Sequence, residues 1–437
     1  MISASAALEL VVKQARQAAQ SGHVENDTEK SRVESVHLSD SFGRTLAEDI
    51  RADRDYPPFN RATMDGFALR SSEYSKDKLY RCSLEVLAGQ SLALPADCQI
   101  VQIMTGAAVP EELDAIIKVE ESRSENKGQE GRPFDVQFLR ESVSPFLNIA
   151  RKGEDLRQGE VTLFAGATID GPSMGLMASL GYANVSVMRR PEIHIISTGD
   201  EIVSVEASPE FYQIRDSNAY TLLAFLKRRN LAAKSIVHCA DDESALRDAL
   251  RAGLQGDLLL LTGGVSMGSR DLVPSILSEL GVGQIFHRIA IKPGKPLWFG
   301  AFGTSHTAGA GHGCAVFGLP GNPFSVQVCA RIFVAAWLGA WLGKEPPSPM
   351  NITLAGERKK KGDLTEFFPV SLTPGATSSE SSDHSFSQES SSPVRIMPLP
   401  FNGSGDITAG LGSDGIAMHP ASVEELQSGN SVRFYPW

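Results

Sequence analysis

Cysteine is sparse in this chain, and the few cysteines present are arranged neither to pair nor to hold a metal. Cys82, Cys98, Cys239, Cys314 and Cys329 are scattered through 437 residues, odd in number and without a C-x-x-C spacing. That pattern excludes a disulfide-stapled scaffold and a cysteine zinc site, and it suits a reducing compartment, so the expected location is cytoplasmic. An apolar run of about 18 residues is also missing, which leaves no membrane span to expect. The opening MISASAALELVVKQARQAAQ lacks the unbroken apolar core of a signal peptide. Leu8, Val11, Val12, Ala15 and Ala19 fall instead on one helical face, as in a docking helix. An excess of positive charge is absent too: the formal net charge of -11 argues against a nucleic-acid surface. Any anionic ligand therefore depends on a local basic cleft.

What is present is the composition of a folded soluble protein, with 42% hydrophobic and 21% charged residues. A chain of this length divides its apolar side chains among several cores, so about two to four domains are expected. From Glu34 to about Arg190 the sequence reads as short strands and tight turns, with LEVLAG and CQIVQIM bounded by Gly, Pro and Asp. GPSMGLMASLG, at 171 to 181, has helical spacing and ends on a glycine. From Pro191 the texture changes to strand alternating with helix, which predicts an α/β domain with a doubly wound, mostly parallel sheet. In such sheets ligands collect beyond the carboxyl ends of the strands, where the polar loops STGDE, TGGVSMGSRD and GLPGNP should converge. After about Pro346 short strand-like runs return, NITLAG and SVRFYPW among them, and predict a small β domain. Its serine-rich stretch TPGATSSESSDHSFSQESSSP is too polar to bury and reads as a mobile loop.

The motifs carry two kinds of reading. In LLLLTGGVSMGSRD four leucines make a buried strand, after which Thr262, Gly263, Gly264, Ser266 and Gly268 offer hydroxyls and free backbone N–H groups to an anion. The plainer reading is a glycine turn, with Asp271 stabilising the next helix start. STGDEIV sets Asp200 and Glu201 after another strand, where carboxylates can hold magnesium or cap a turn. In RDSNAYTLL, Asp216 or Ser217 is equally an N-cap. IKPGKP places Lys292 and Lys295 on either side of a Pro-Gly turn with Arg288 upstream, a set of cations suited to phosphate or another oxyanion. GLPGNPFS is a stiff loop with Asn322 as N-cap and Pro323 at the first helical position, and it can also aim Ser325 into a pocket. PPFNRATMDGFALR contains Asp65, IMTGAAVP contains Thr105, and NIARKGEDLRQGE sets Glu154 and Asp155 beside Arg151 and Lys152. Turn chemistry and a solvated charged surface account for these three equally well.

Taken in order, MDGFA, IMTGA, GED, STGDE, DSN, TGGVSMG, KPGKP and LPGNP resemble the molybdopterin molybdenumtransferase family, which includes the bacterial MoeA proteins and the E domain of gephyrin. The resemblance covers nearly the whole chain. It implies four domains: residues 1–45 with 148–190 as a linking and dimerisation domain, and 46–147 as a β-rich domain carrying MDGFA and IMTGA. Residues 191–345 would be a pterin-binding domain like that of molybdopterin adenylyltransferases, and 346–437 a β-barrel-like domain. It further implies a homodimer in which the first half of one chain closes the cofactor cleft of its partner. The implied reaction takes molybdopterin adenylate and molybdate and releases AMP, with Mg2+ as cofactor. A molybdopterin adenylyltransferase would act upstream, and apo-molybdoenzymes or their chaperones downstream. By motif matching Asp65, Thr105, Asp155, Glu201, Asp216 and Lys292 would be catalytic. Gly263, Gly264, Ser266, Asp271, Arg288, Lys295, Pro320, Pro323 and Ser404 would bind the cofactor, with Glu201, Asp216 and Asp271 toward the metal. The chain departs from the family at Gln102 and Ala150, both often arginine, and at Arg288, where lysine is common in some members. Two other readings are a molybdopterin adenylyltransferase, which leaves the MDGFA half unexplained, and a gephyrin-like dimeric scaffold.

Overall fold

The computed structural model describes residues 1–21, 32–90, 93–125, 133–265, 272–303, 313–346, 348–374 and 394–437. Two compact units emerge: Met1–Val36, Gly43–Ala47 and Ser186–Trp437 form one, His37–Phe42 and Glu48–Val185 the other. This division is coarser than the four domains expected.

In the first unit, every residue of the leucine-rich strand Leu258–Thr262 is buried. A parallel strand covered on both faces favours such a continuous apolar run over alternation. It lies between Ile193–Thr198 and Cys314–Leu319, parallel to both, and Ala233–Cys239 pairs in parallel with Ile193–Thr198. Trp298–Phe302 and Gly283–His287 complete the six-stranded sheet in antiparallel pairing. Helices cover both faces: Asn218–Lys227 buries Leu222 and Leu226 in one core, while Glu243–Gly253 buries Leu246 and Leu250 in the other. The expected doubly wound, mostly parallel sheet is therefore present, with an antiparallel margin.

The run Pro323–Trp341 contains an α-helical turn, a π segment at Ala330–Val334 and a second α segment. Its 19 residues are long and apolar enough to cross a membrane, which the sequence reading did not foresee, but 89% of its most apolar 18-residue stretch is buried inside the unit. The N-terminal helix Ala4–Ser21 docks on the same core, burying Ala7, Val11 and Ala15. There the Trp337 indole Nε1–H donates to Gln14 Oε1 at 2.6 Å, which satisfies polar groups that burial would otherwise penalise.

The C-terminal strands close into a barrel. Met350–Leu354 joins Arg395–Pro398 and Ser431–Pro436, and Ser431–Pro436 joins Gly415–His419. The nine-residue strand Thr365–Thr373 closes the ring because it is long enough to pair with both Arg395–Pro398 and Gly415–His419. Ile291–Lys292 adds to the same long strand in parallel, setting Lys292 opposite Glu366. Residues 375–393 of the serine-rich stretch lie outside the described residues.

The second unit holds its own six-stranded sheet, with Gly66–Leu69 between Ile100–Ile103 and Ala115–Lys118. Alternation divides its core: Phe67 and Ile117 face one cluster, Ala68 and Ile116 the other. Gly66 is obligatory in this packing, since a Cβ there would lie 2.1 Å from the Ile117 carbonyl oxygen. The predicted helix forms over Gly171–Ser179, and the Asp170 carboxylate caps it by accepting from Ser173 N.

Candidate functional site

At the carboxyl ends of the parallel strands, Thr262 is followed by Gly263 and Gly264 with φ of +88° and +62°. Side chains are barred here twice over: the backbone is left-handed, and a Cβ would come within 2.3 Å of Thr198 O at Gly263 and 2.7 Å of Thr198 Oγ1 at Gly264. Beside this turn the Ser197 hydroxyl donates to Asp216 Oδ2, while Asp216 Oδ1 accepts from Ala219 N at 3.0 Å. Asp216 thus supplies the helix-start contact allowed from sequence, and Ser217, the formal N-cap, makes no side-chain cap bond. The carboxylate of Glu201 folds back over Gly199. Asn218 Nδ2 then reaches the Gly321 carbonyl at 2.7 Å, tying the DSN segment to the LPGNP loop. That loop continues the connection, because Asn322 Nδ2 donates to Ser404 Oγ at 2.9 Å and Phe324 N to Ser404 O at 3.1 Å.

Next to Ser404 opens a cavity of about 530 Å3. Lys292, Lys295, Pro320 and Ser404, all anticipated from sequence, line it together with Ser325, Arg358, Lys359, Lys360, Lys361 and Glu366. Three kinds of segment build this wall: the KPGKP turn, the LPGNP loop and the barrel. The Lys292 ammonium bonds Glu366 Oε1 at 3.1 Å, and Arg358 bonds Glu366 Oε2 at 2.7 Å. Lys360 is buried with its Nζ on the carbonyls of Gly362 and Ala421, so it braces the wall rather than facing a ligand. Burial pushes the Glu366 carboxyl up, but the hydrogen bonds from Arg358 and Lys292 outweigh it and hold the group below the ordinary glutamate range. His419, fully buried behind Arg358, is driven down by burial and by that neighbouring cation.

In the second unit the three motif loops meet through the backbone. Ala62 N donates to Ala107 O, Gly106 N to Ala62 O and Thr63 N to Asn148 O. Asp65 Oδ1 accepts from both the backbone N and the hydroxyl of Thr105, each at 2.7 Å, and these two bonds hold its carboxyl below the usual range. Asp155 is exposed on the third loop, where its backbone N donates to Tyr56 O at 3.0 Å. Gln102 bonds Glu85 at 3.0 Å, and Ala150 is buried in a strand pair with Arg61, so neither position presents a cation.

The sequence-predicted residues therefore divide. Lys292, Lys295, Pro320 and Ser404 share the cavity, whereas Pro323 starts the adjoining helix. Asp216 lines a separate hollow with Arg215 and Tyr220, and Arg288, held at φ +68°, is outside the cavity lining. Ser266 and Asp271 lie outside the described residues. The reading from sequence missed Arg358, Lys359, Lys361 and Glu366, although the run RKKK at 358 to 361 was a visible signal in a chain of negative net charge. Among the described residues no group of three His, Cys, Asp or Glu side chains gathers to hold a metal. Magnesium takes as few as one or two protein carboxylates with water and substrate phosphates, and each oxygen of Asp216 keeps acceptor capacity beyond its one hydrogen bond, so the Asp216 carboxylate fits the role of such a ligand.

A mostly parallel α/β unit with a glycine turn at its strand ends and a barrel-walled cationic cavity defines a protein built to hold an anionic ligand. The comparisons agree in detail: residues 2–181 match the family model described as "MoeA N-terminal region (domain I and II)", and 194–340 match the "Probable molybdopterin binding domain". The molybdopterin molybdenumtransferase of Synechocystis sp. is 35% identical over 92% of this chain and 94% of its own. That of Synechococcus elongatus is 36% identical over 78% of this chain and 83% of its own. A solved molybdopterin biosynthesis MoeA protein from Pyrococcus horikoshii superposes with a TM-score of 0.71 at 27% identity, covering 97% of this chain and 98% of that one. The chain belongs to the molybdopterin molybdenumtransferase family.

Proposed function

We propose that this protein transfers molybdenum into adenylylated molybdopterin, releasing AMP and the completed molybdenum cofactor. The observation that carries the reading is the cationic cavity beside the strand-end motifs. Its substrates are all anions, and Lys292 and Lys295 neutralise them at the turn between sheet and barrel. Ser404, Ser325 and Asn322 add hydrogen-bond donors without negative charge, which suits an oxyanion such as molybdate. Gly263 and Gly264 let the left-handed turn pack against Thr198, and that turn would offer backbone N–H groups to a phosphate or the pterin. Asp216 and Glu201, with Asp271, would hold Mg2+ on the pyrophosphate, and that ion would supply charge neutralisation that makes AMP a better leaving group. Asp65, Thr105 and Asp155 would act on the partner's bound substrate in a homodimer. The protein would work in the cytoplasm, receive its substrate from a molybdopterin adenylyltransferase and pass its product to apo-molybdoenzymes or their chaperones. The adenylyltransferase and scaffold readings are not favoured, because relatives that match across both halves carry the transferase name.

The test is to mix purified protein with molybdopterin adenylate, magnesium and molybdate, following AMP release and reconstitution of a cofactor-free molybdoenzyme. Molybdate-dependent AMP release with active enzyme is the expected result. Adenylate formation from ATP and molybdopterin would instead establish the preceding reaction, and binding without turnover would establish a scaffold. Omitting magnesium and running the protein on a sizing column test the ion and the dimer separately.

A further inference from the structure

Glu366 is the single acid among the described residues that line the cationic cavity. Its carboxylate is shared, one oxygen accepting from Lys292 and the other from Arg358. The two cations differ in freedom. Arg358 is committed on every side: its other terminal nitrogen pairs with His419 Nδ1 at 2.9 Å, and its guanidinium lies 4.4 Å from the centre of the Phe368 ring. Its side chain is 14% exposed and that of Glu366 is 7%, but Lys292 remains 59% exposed. Arg358 is thus the anchor that fixes Glu366, and Glu366 in turn fixes an ammonium that faces solvent. An ammonium has three donors, so Lys292 can keep its bond to Glu366 and still offer two to an incoming anion.

We propose that Glu366 is a positioning residue that also sets anion affinity: it aims Lys292 into the cavity, and its fixed negative charge competes with the bound oxyanion for that ammonium. The inference rests on the reading of the cavity as the oxyanion site. Without the carboxylate the lysines would hold a dianion more tightly, and release of the cavity for the next turnover would slow. Placement matters as well as charge, because Lys292 sits opposite Glu366 in the strand pairing and its reach is set by where the carboxylate ends.

The experiment is equilibrium dialysis of molybdate alone against the full-length wild type, Glu366→Gln and Glu366→Asp, with thermal melts and AMP-release kinetics on each. Glu366→Gln removes the charge but retains an acceptor oxygen, and molybdate should bind about fivefold tighter, the size expected for one partly screened charge at close range. Glu366→Asp keeps the charge but withdraws it by one methylene. It should bind molybdate like the wild type yet turn over about tenfold more slowly, a loss in kcat that unchanged affinity separates from a binding defect. A folded Glu366→Gln protein with equal or weaker molybdate affinity overturns the proposal. If that variant does not fold, Glu366→Asp decides, and wild-type turnover in it overturns the positioning role. Failure of the wild type to bind molybdate overturns the oxyanion reading itself and this inference with it, whereas binding by the wild type with no response in the variants overturns this inference only.

Discussion

In the unit built from the parallel sheet and the barrel, the candidate cations surround a cavity of about 530 Å3 backed by a buried ion-pair network. In the β-rich unit Asp65, Thr105 and Asp155 stand exposed on three loops stitched together mainly by backbone hydrogen bonds. The first region makes its chemistry from tertiary packing, since Lys292 is placed by Glu366, which is placed by Arg358, which rests on His419 and Phe368. The second makes it from turn geometry: one carboxylate takes two bonds from one threonine. Changes in the first should therefore damage function and stability in separable amounts. In the second they should damage function while leaving the fold almost untouched.

The largest effect is expected at the exposed end of the network. Lys292→Ala removes a charged donor from the proposed oxyanion site and should lower molybdate-dependent AMP release by about 300-fold. The lysine is 59% exposed, so the melting temperature should move by no more than about 2 °C. Equal loss of melting temperature and activity would erase the distinction between anchor and working cation.

Arg358→Ala attacks the buried end. It leaves Glu366 desolvated with one cation in place of two, and denaturant unfolding should register a loss of about 3 kcal/mol, typical of breaking one side of a buried pair. Retention of full stability would mean that Arg358 does not anchor the wall. Asp65→Asn and Thr105→Ala provide the opposite limb of the comparison. Each should reduce AMP release about tenfold with nearly wild-type melting, and the double variant should be little worse than either single one because the two groups act through one contact. Additive losses would show independent roles.

How far this contrast was legible in the sequence depended on how local each feature is. LLLLTGG declared a buried strand and a glycine turn because its leucines and glycines act within a few residues, and the strand and helix alternation after Pro191 yielded the observed sheet. KPGKP and LPGNP pointed to the cavity for the same reason. The role of Glu366 was not legible, since nothing near TEFFPV indicates that Lys292, far away in sequence, pairs beside it in the barrel. RKKK read alone is a solvated run. Only closure of the barrel turns Arg358 inward while leaving Lys361 on the cavity wall. Arg288 shows the opposite case: a cation directly after the strand Gly283–His287 looked available, but the turn that holds it leaves it out of the cavity lining.

The smallest expected effect sharpens the contrast through pH. His419 is fully buried, and burial together with the Arg358 charge sets its folded pKa below the ordinary 6.5. The unfolded chain therefore binds a proton at a pH where the folded protein refuses it, so stability is fully present above about pH 7 and falls as pH drops through the unfolded value. Glu366 and Asp65 are shifted downward too, but as carboxylates they lose their contribution only as pH falls below about 4.5. Urea unfolding at pH 7.5 and 5.5 thus isolates the histidine, and the wild type should lose at most about 1.4 kcal/mol between them. His419→Gln should flatten that difference while keeping an acceptor for Arg358. An unchanged slope in the variant would move the pH sensitivity away from the barrel network, whereas a flattened slope with unchanged molybdate affinity would show that the histidine supports the anchor and leaves the working lysine alone.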